Sequence, residues 1–380
     1  MLLYGVVTAI DDAAALRAKG WAVRQPDRGG AISRQQVVVR MRRSLGLAFA
    51  ALVLAMPALV APVLIAPGLV TPVLGAPSLT TMPEDGEPPP PKLSPWEECF
   101  SQLADERIGG CTFVLLNEER ASDERVTAFI NRGVAFGQKG LMGAALDDFE
   151  KALQLAPNDV MAHANTGIAH AALKEYASAL KSFDLAVAAD PTRAPVYVLR
   201  ANARRDSGDI TAALVDYTHA LGIDPGFSFA LNERGVAHHR NGVLASALAD
   251  FDAALRHNPT YAQAYHNRGK LLVEQGRHGR AIRDFSKAIE RRPTYSGAYF
   301  NRGRAHHMQR DYKRAIADYG RVLELSPGFA PAFNNRARAY AMLGRTAEAL
   351  ADLEQLATLS PGDPAIAVLR QEIQPAAPQP

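Results

Sequence analysis

The sequence predicts an all-α solenoid built of helix-turn-helix repeats, and three observations carry that prediction. Stepping by 34 residues from Pro327 lands on Pro157, Pro191, Pro225, Pro259, Pro293 and Pro361 without an insertion or deletion. A fixed period of this length marks stacked supersecondary units, not separate globular domains. Within each period, apolar residues recur at three- and four-residue spacing in two segments, each closed by helix-stop signals, as two amphipathic helices require. The columns in register are also physically consistent. With position 1 set at Val126, position 8 is small throughout (Gly133, Gly167, Ala201, Gly235, Gly269, Gly303, Ala337) and position 20 is alanine from Ala145 to Ala349. Position 24 is large: Phe149, Phe183, Tyr217, Phe251, Phe285, Tyr319 and Leu353. Small residues at 8 and 20 let two helices approach closely, and the side chains at 4 and 24 fill the space beside that contact.

Taken from the N-terminus, residues 1–40 show no sustained period and read as an upstream extension or a cytoplasmic tail. Met41, Arg42 and Arg43 then precede an uncharged run from Ser44 to Met82, so 41–60 has the form of a signal peptide or membrane anchor. The apolar run is 13 residues long before Pro57 interrupts it, short of the ~20 a spanning helix needs. That favours a signal peptide, yet small residues at a cleavage spacing are hard to find after it, and anchoring through 44–63 stays open. Residues 61–91 form a proline-rich linker: a series that starts at Pro57 recurs every five residues through Pro62, Pro67, Pro72 and Pro77, and Pro88–Pro91 stand in a row. Such density precludes a regular helix and favours an extended spacer. Residues 92–125 read as a degenerate capping repeat, with Trp96 and Phe100 on its first helix, and 126–363 as seven repeats. Residues 364–380 read as a capping helix, opened by Asp363 and Pro364, and a loose tail.

Formal charge is +3, from 42 basic and 39 acidic residues. That balance lacks the polycation signature of phosphate-backbone binding, and nucleic acid is not an expected partner. Nor is an enzyme expected: there is no H-E-x-x-H, no phosphate-cradling glycine loop and no nucleophile elbow. All ten histidines lie between His163 and His307. His170, His238 and His306 share one position in alternate units, too far apart along a solenoid to hold one ion. His239 and His266 are closer, but two ligands without a third are weak. No metal and no cofactor are expected.

The columns, and the N-R-G of Asn301 to Gly303 with its counterparts, resemble the tetratricopeptide repeat as found in exported bacterial proteins of that family. The resemblance covers Val126 to Asp363 and implies a right-handed superhelix. One departure is position 7, usually leucine in that family and here Arg132, Thr166, Arg200, Arg234, Arg268, Arg302 and Arg336. Position 23 is Asp148, Ser182, Asp216, Asp250, Asp284, Asp318 and Asp352. The unit without the arginine is the one without the aspartate, which predicts structural pairs Arg132/Asp148, Arg268/Asp284 and Arg302/Asp318. Each is worth under ~1 kcal/mol where solvent reaches it. Stepping back 34 residues from Gly133 and Ala145 lands on Cys99 and Cys111. Both occupy close-contact positions, and exported proteins with such repeats carry a similar paired-cysteine segment, so a disulfide is expected. Two reduced core cysteines remain the alternative in a reducing compartment.

In the resembling family the groove is lined by positions 2, 5, 6, 9, 12 and 13. Position 6 is Asn131, Asn165, Asn267, Asn301 and Asn335, amides able to hold an extended peptide or, equally, to bond within the solenoid. Around them an apolar end (Ile130, Val134, Ala164, Ile168, Ala171, Ala172) passes into a basic end (Arg240, His266, Lys270, Arg304, His307, Arg338). No unit has the position-5 lysine of the family's carboxylate clamp. The expectation is a non-catalytic protein-binding scaffold or adaptor of the bacterial cell envelope, periplasmic or anchored in the inner membrane facing the periplasm. Its partner would be a protein or peptide with an acidic segment. The alternative is a structural subunit that self-assembles, or packs in an envelope complex, through its convex face.

Overall fold

The computed structural model describes residues 93–362 and 364–373. The expected extension, signal or anchor segment, proline-rich linker and C-terminal tail therefore lie outside the described residues. A short α1 (Pro95–Glu98) and α2 (Ala104–Leu115) open the array. Helix pairs follow: α3 (Ser122–Gln138) with α4 (Met142–Leu155), α5 (Val160–Ala172) with α6 (Tyr176–Ala189), α7 (Ala194–Asp206) with α8 (Ile210–Ile223), and α9 (Ser228–Arg240) with α10 (Leu244–His257). Next come α11 (Ala262–Glu274) with α12 (His278–Arg291), α13 (Ser296–Met308) with α14 (Tyr312–Leu325), and α15 (Ala330–Met342) with α16 (Thr346–Leu359), closed by α17 (Pro364–Ile373). The chain is an all-α solenoid of tandem helix-turn-helix repeats.

Each break between helices has a local cause. Between paired helices the chain turns in three residues, and the middle one has positive φ in every pair, from 60° at Arg310 to 102° at Gly208. The next amide then reaches back, as Arg277 N does to Leu272 O at 2.8 Å, which satisfies a carbonyl that the helix end leaves open. Between pairs the position-32 proline cannot continue a helix. After Pro157, Asp159 opens α5 by accepting bonds from Met161 N and Ala162 N, both at 2.9 Å.

Inside a pair, the position-24 ring lies flat against the position-8 glycine. A Cβ at Gly269 would stand 2.6 Å from Phe285 Cε1. In the glycine units the bare backbone lets the ring come this close, and Phe183, Phe251 and Phe285 are buried. Each such ring contributes about 2–3 kcal/mol of burial.

At the N-terminal end the expected disulfide is present, joining Cys99 and Cys111 across a Cα separation of 4.5 Å. The first cap helix is shorter than the reading that placed both Trp96 and Phe100 on it. It stops at Glu98, where Phe100 N and Ser101 N tighten to bonds three residues back. The two rings still meet edge to face at 5.0 Å.

The inner-membrane-anchored form expected from the sequence is corrected. Among the described residues no helix is long and apolar enough to cross a membrane. The longest, α3, has 17 residues and carries Asp123, Glu124, Arg125 and Arg132. Such a helix is too short and too charged for a hydrocarbon core ~30 Å thick. Segment 44–63 itself lies outside the described residues.

Candidate partner-binding groove

Positions 5, 6, 9, 12 and 13 of the first helices are spaced by three and four residues, so they share one face. What holds that face in place is the ion pair behind it. Arg132, Arg200, Arg234, Arg268, Arg302 and Arg336 each make two bonds of 2.6–2.9 Å to Asp148, Asp216, Asp250, Asp284, Asp318 and Asp352. In the remaining unit Thr166 Oγ1 and Ser182 Oγ turn back on their own helices, to Ala162 O and Ser178 O. The position-4 ring supports the guanidinium, with Arg268 Cζ 5.6 Å from the Tyr265 ring centre and Arg302 Cζ 5.5 Å from that of Tyr299. A further link joins successive units. Arg200 also donates to Asp184 at 2.7 Å, Arg268 to Asp252 at 2.6 Å and Arg302 to Ser286 at 3.0 Å, all position-25 residues of the unit before. The sequence signal for it was the polar run at position 25, which Gly320 interrupts beside Arg336.

The asparagines are drawn into this lattice. Asn131 Nδ2 donates to Cys99 O at 3.2 Å, Asn267 Nδ2 to Asn232 Oδ1 at 3.0 Å, and Asn301 Nδ2 to His266 Nε2 at 2.9 Å. Asn165 is buried with its Nδ2 unpartnered, and Asn335 is half-buried. One of the two units lacking an amide here reveals a network that the sequence reading missed. Glu233 takes position 6 and accepts from Arg205 at 2.5 Å and from Asn232 at 2.8 Å. Arg205 also bonds the Tyr217 hydroxyl, which donates to Asn202. An acid in the asparagine column was the available signal.

The basic residues divide into paired and unpaired. Arg240 lies 3.5 Å from Asp206, and Arg338 lies 3.6 Å from Glu372 on α17. Lys270 and Arg304, both at position 9 and both exposed, have no ion-pair partner among the described residues. A cavity of about 270 Å³ opens between α9 and α11, lined by Val236, His239, Arg240, Phe251, Asn267 and Lys270. His239 there is held by Glu274 at 2.6 Å.

His266 is enclosed. Its Nδ1 lies 3.0 Å from the Tyr295 hydroxyl, which donates to Gln263 at 2.7 Å, while Nε2 accepts from Asn301. Burial first, then Lys270, pushes its pKa down to about 4. The ring is neutral at ordinary pH and acts as a spacer between units. His307 is also pushed down, by burial and then by Arg338, and packs edge-on to Tyr312 at 5.1 Å.

The expected apolar end offers little to a partner. Ile130, Ala164 and Ala171 are buried, and Val134 and Ile168 pack into the clusters around Phe149 and Phe183. On this face the available cationic side chains are confined to the later units. Among the described residues no group of three or more His, Cys, Asp or Glu could hold a metal ion.

A family model described as tetratricopeptide repeat matches residues 120–194, 198–262 and 266–328, and a second of the same description matches 302–374. No curated protein matches the sequence. Among solved structures, the chain is similar to the APC/C hetero-tetramer Cut9–Hcn1 at 16% identity and TM-score 0.55, covering 71% of this chain and 52% of that one. The chain thus spans about half the length of that relative. It is also similar to PilW, a widely conserved type IV pilus biogenesis factor, at 20% identity and TM-score 0.51, covering 55% and 97%. Both likenesses concern the fold.

Proposed function

Because this chain belongs to the tetratricopeptide-repeat family, whose fold typically serves protein–protein interaction, we propose that it is a non-catalytic scaffold holding an acidic segment of a partner protein against α9, α11 and α13. The observation that carries this reading is the alignment of Lys270 and Arg304 at position 9 of adjacent units, exposed and unpaired, beside the cavity under Arg240 and Asn267. Successive position-9 cations lie one repeat apart, so a carboxylate-bearing segment running along the face meets them in turn. The surrounding asparagines contribute chiefly to the rigidity of the floor, since Asn267 and Asn301 already bond within the solenoid. A preorganised floor lowers the ordering cost of binding.

The test is photo-crosslinking in cells from probes at Val236 and Met308, followed by identification of the adduct. One prominent heterologous adduct is expected. Combined Lys270→Glu and Arg304→Glu should weaken binding of the captured segment about tenfold in low salt and less in high salt. Unchanged affinity in the double variant would overturn the electrostatic reading.

A further inference from the structure

Away from the groove, the turns joining α11 to α12 and α13 to α14 carry a concentration of charge found on no other turn of the array. Arg277, Arg280 and Arg283 stand on the first, and Arg310, Lys313 and Arg314 on the second, against the single acid Asp311. The same stretch in three other units, 140–147, 208–215 and 242–249, holds no cation. All six of these side chains are exposed, and among the described residues only Arg314 is ion-paired, to Asp311. Between the two turns lies an open cleft of about 390 Å³, lined by Gly276, Arg277, His278, Gly279, Arg280, Arg283 and Gln309.

The opposite sign is gathered at the other end of the solenoid. Residues 97–124 contain eight acids against two bases. Phe113 on α2 is 62% exposed, and the residues that flank the helix, Leu103 and Leu116, are 62% and 77% exposed. Glu106 lies on the same face of α2 as Phe113, seven residues before it, and exposed Glu118 and Glu119 follow in the next loop. Terminal repeats ordinarily present a polar outer surface, because nothing stacks on them. Here three large apolar side chains are left uncovered by the described residues, with exposed carboxylates close to them in the chain.

We propose that this acidic, apolar face docks into the arginine-lined cleft of a second copy of the chain. Phe113 would enter the cleft beneath Arg277 and Arg280, where guanidinium over an aromatic face is favourable. Glu106, Glu118 and Glu119 would meet Arg283, Arg310 and Lys313 around it. The two surfaces do not overlap, and each copy carries one of each. The contact is therefore heterologous and joins copies head to tail. It uses neither Lys270 nor Arg304, and stands or falls independently of the groove.

Sedimentation velocity of the full chain from about 10 to 200 µM, in about 20 mM and about 500 mM salt, tests the proposal. The expected result is a concentration-dependent series of oligomers in low salt that dissociates in high salt. Arg280→Glu with Arg283→Glu on one surface, or Glu106→Lys with Phe113→Ser on the other, should each weaken association at least about tenfold. All four positions are exposed, and unchanged circular dichroism checks folding. An equimolar mixture of the two variants should form dimers and nothing larger, because only one intact junction can be made. A monomeric wild type, association that survives both variants or high salt, or a mixture that fails to dimerise would overturn the proposal. So would a monomer whose arginines bind a nucleic acid oligomer or an anionic vesicle instead.

Discussion

His266 shows how a single side chain acquires a pH dependence from its place in the array. Its ordinary value is 6.5, and in the fold burial brings it to about 4. Between those values the unfolded chain binds a proton that the folded chain refuses. Stability is therefore complete above pH 6.5 and lost as pH falls toward 4, by about 3 kcal/mol in order of magnitude. Urea unfolding at pH 7.5 and pH 4.5 should show this loss, and His266→Gln should remove most of it. Burial lowers His238, His306 and His307 as well, with the same sign, so a residual slope is expected in that variant. The repeat turn supplies a second residue-scale prediction. Lys174 holds φ 63° where five other turns have glycine. Its side chain is exposed, so Lys174→Gly should relieve backbone strain and raise stability by about 0.5–1 kcal/mol, measured by chemical unfolding.

At the scale of the helix pair, the arginine–aspartate link is stronger than a solvated pair. The Arg268 and Asp284 side chains are only 18% and 9% exposed and share two bonds of 2.7 Å. Removing one partner strands the other in a half-buried site. Arg268→Ala and Asp284→Ala should each cost about 2–3 kcal/mol, and the double variant should cost well short of their sum, a coupling of at least about 1 kcal/mol. Additive losses in urea titrations would dismiss the link. The second arm of Arg268 reaches Asp252, which is 37% exposed, and contributes less. That arm nonetheless passes between units, so the groove face is set by each helix pair together with the pair before it.

For the whole molecule, a solenoid transmits stability through neighbouring contacts, and its ends are the weak points. The N-terminal end is pinned by Cys99–Cys111, a bridge spanning 12 residues of chain, and by the Asn131 bond to Cys99 O. Reduction should cost the cap about 3 kcal/mol. Amide exchange of residues 95–138 should accelerate while the arrays from α5 to α16 stay protected. Equal acceleration everywhere would mean that the repeats unfold as one unit.

How much of this was legible in the sequence depends on whether a column or a neighbour decides the matter. The 34-residue period, the small residues at 8 and 20 and the large ones at 24 specify the fold class, because each is a steric requirement repeated in one register. The joint loss of arginine and aspartate at Thr166 and Ser182 was readable for the same reason. The groove was not readable to that depth. Which asparagines bond within the solenoid, and which cations stay free, depends on side chains 29 to 35 residues away. His266, for instance, meets Tyr295 and Asn301, and Arg338 is taken by Glu372. Periodicity by itself determined the helices and their close contacts. Only the stacking of unit on unit decided which polar groups were spent inside the array and which, like Lys270 and Arg304, were left facing out.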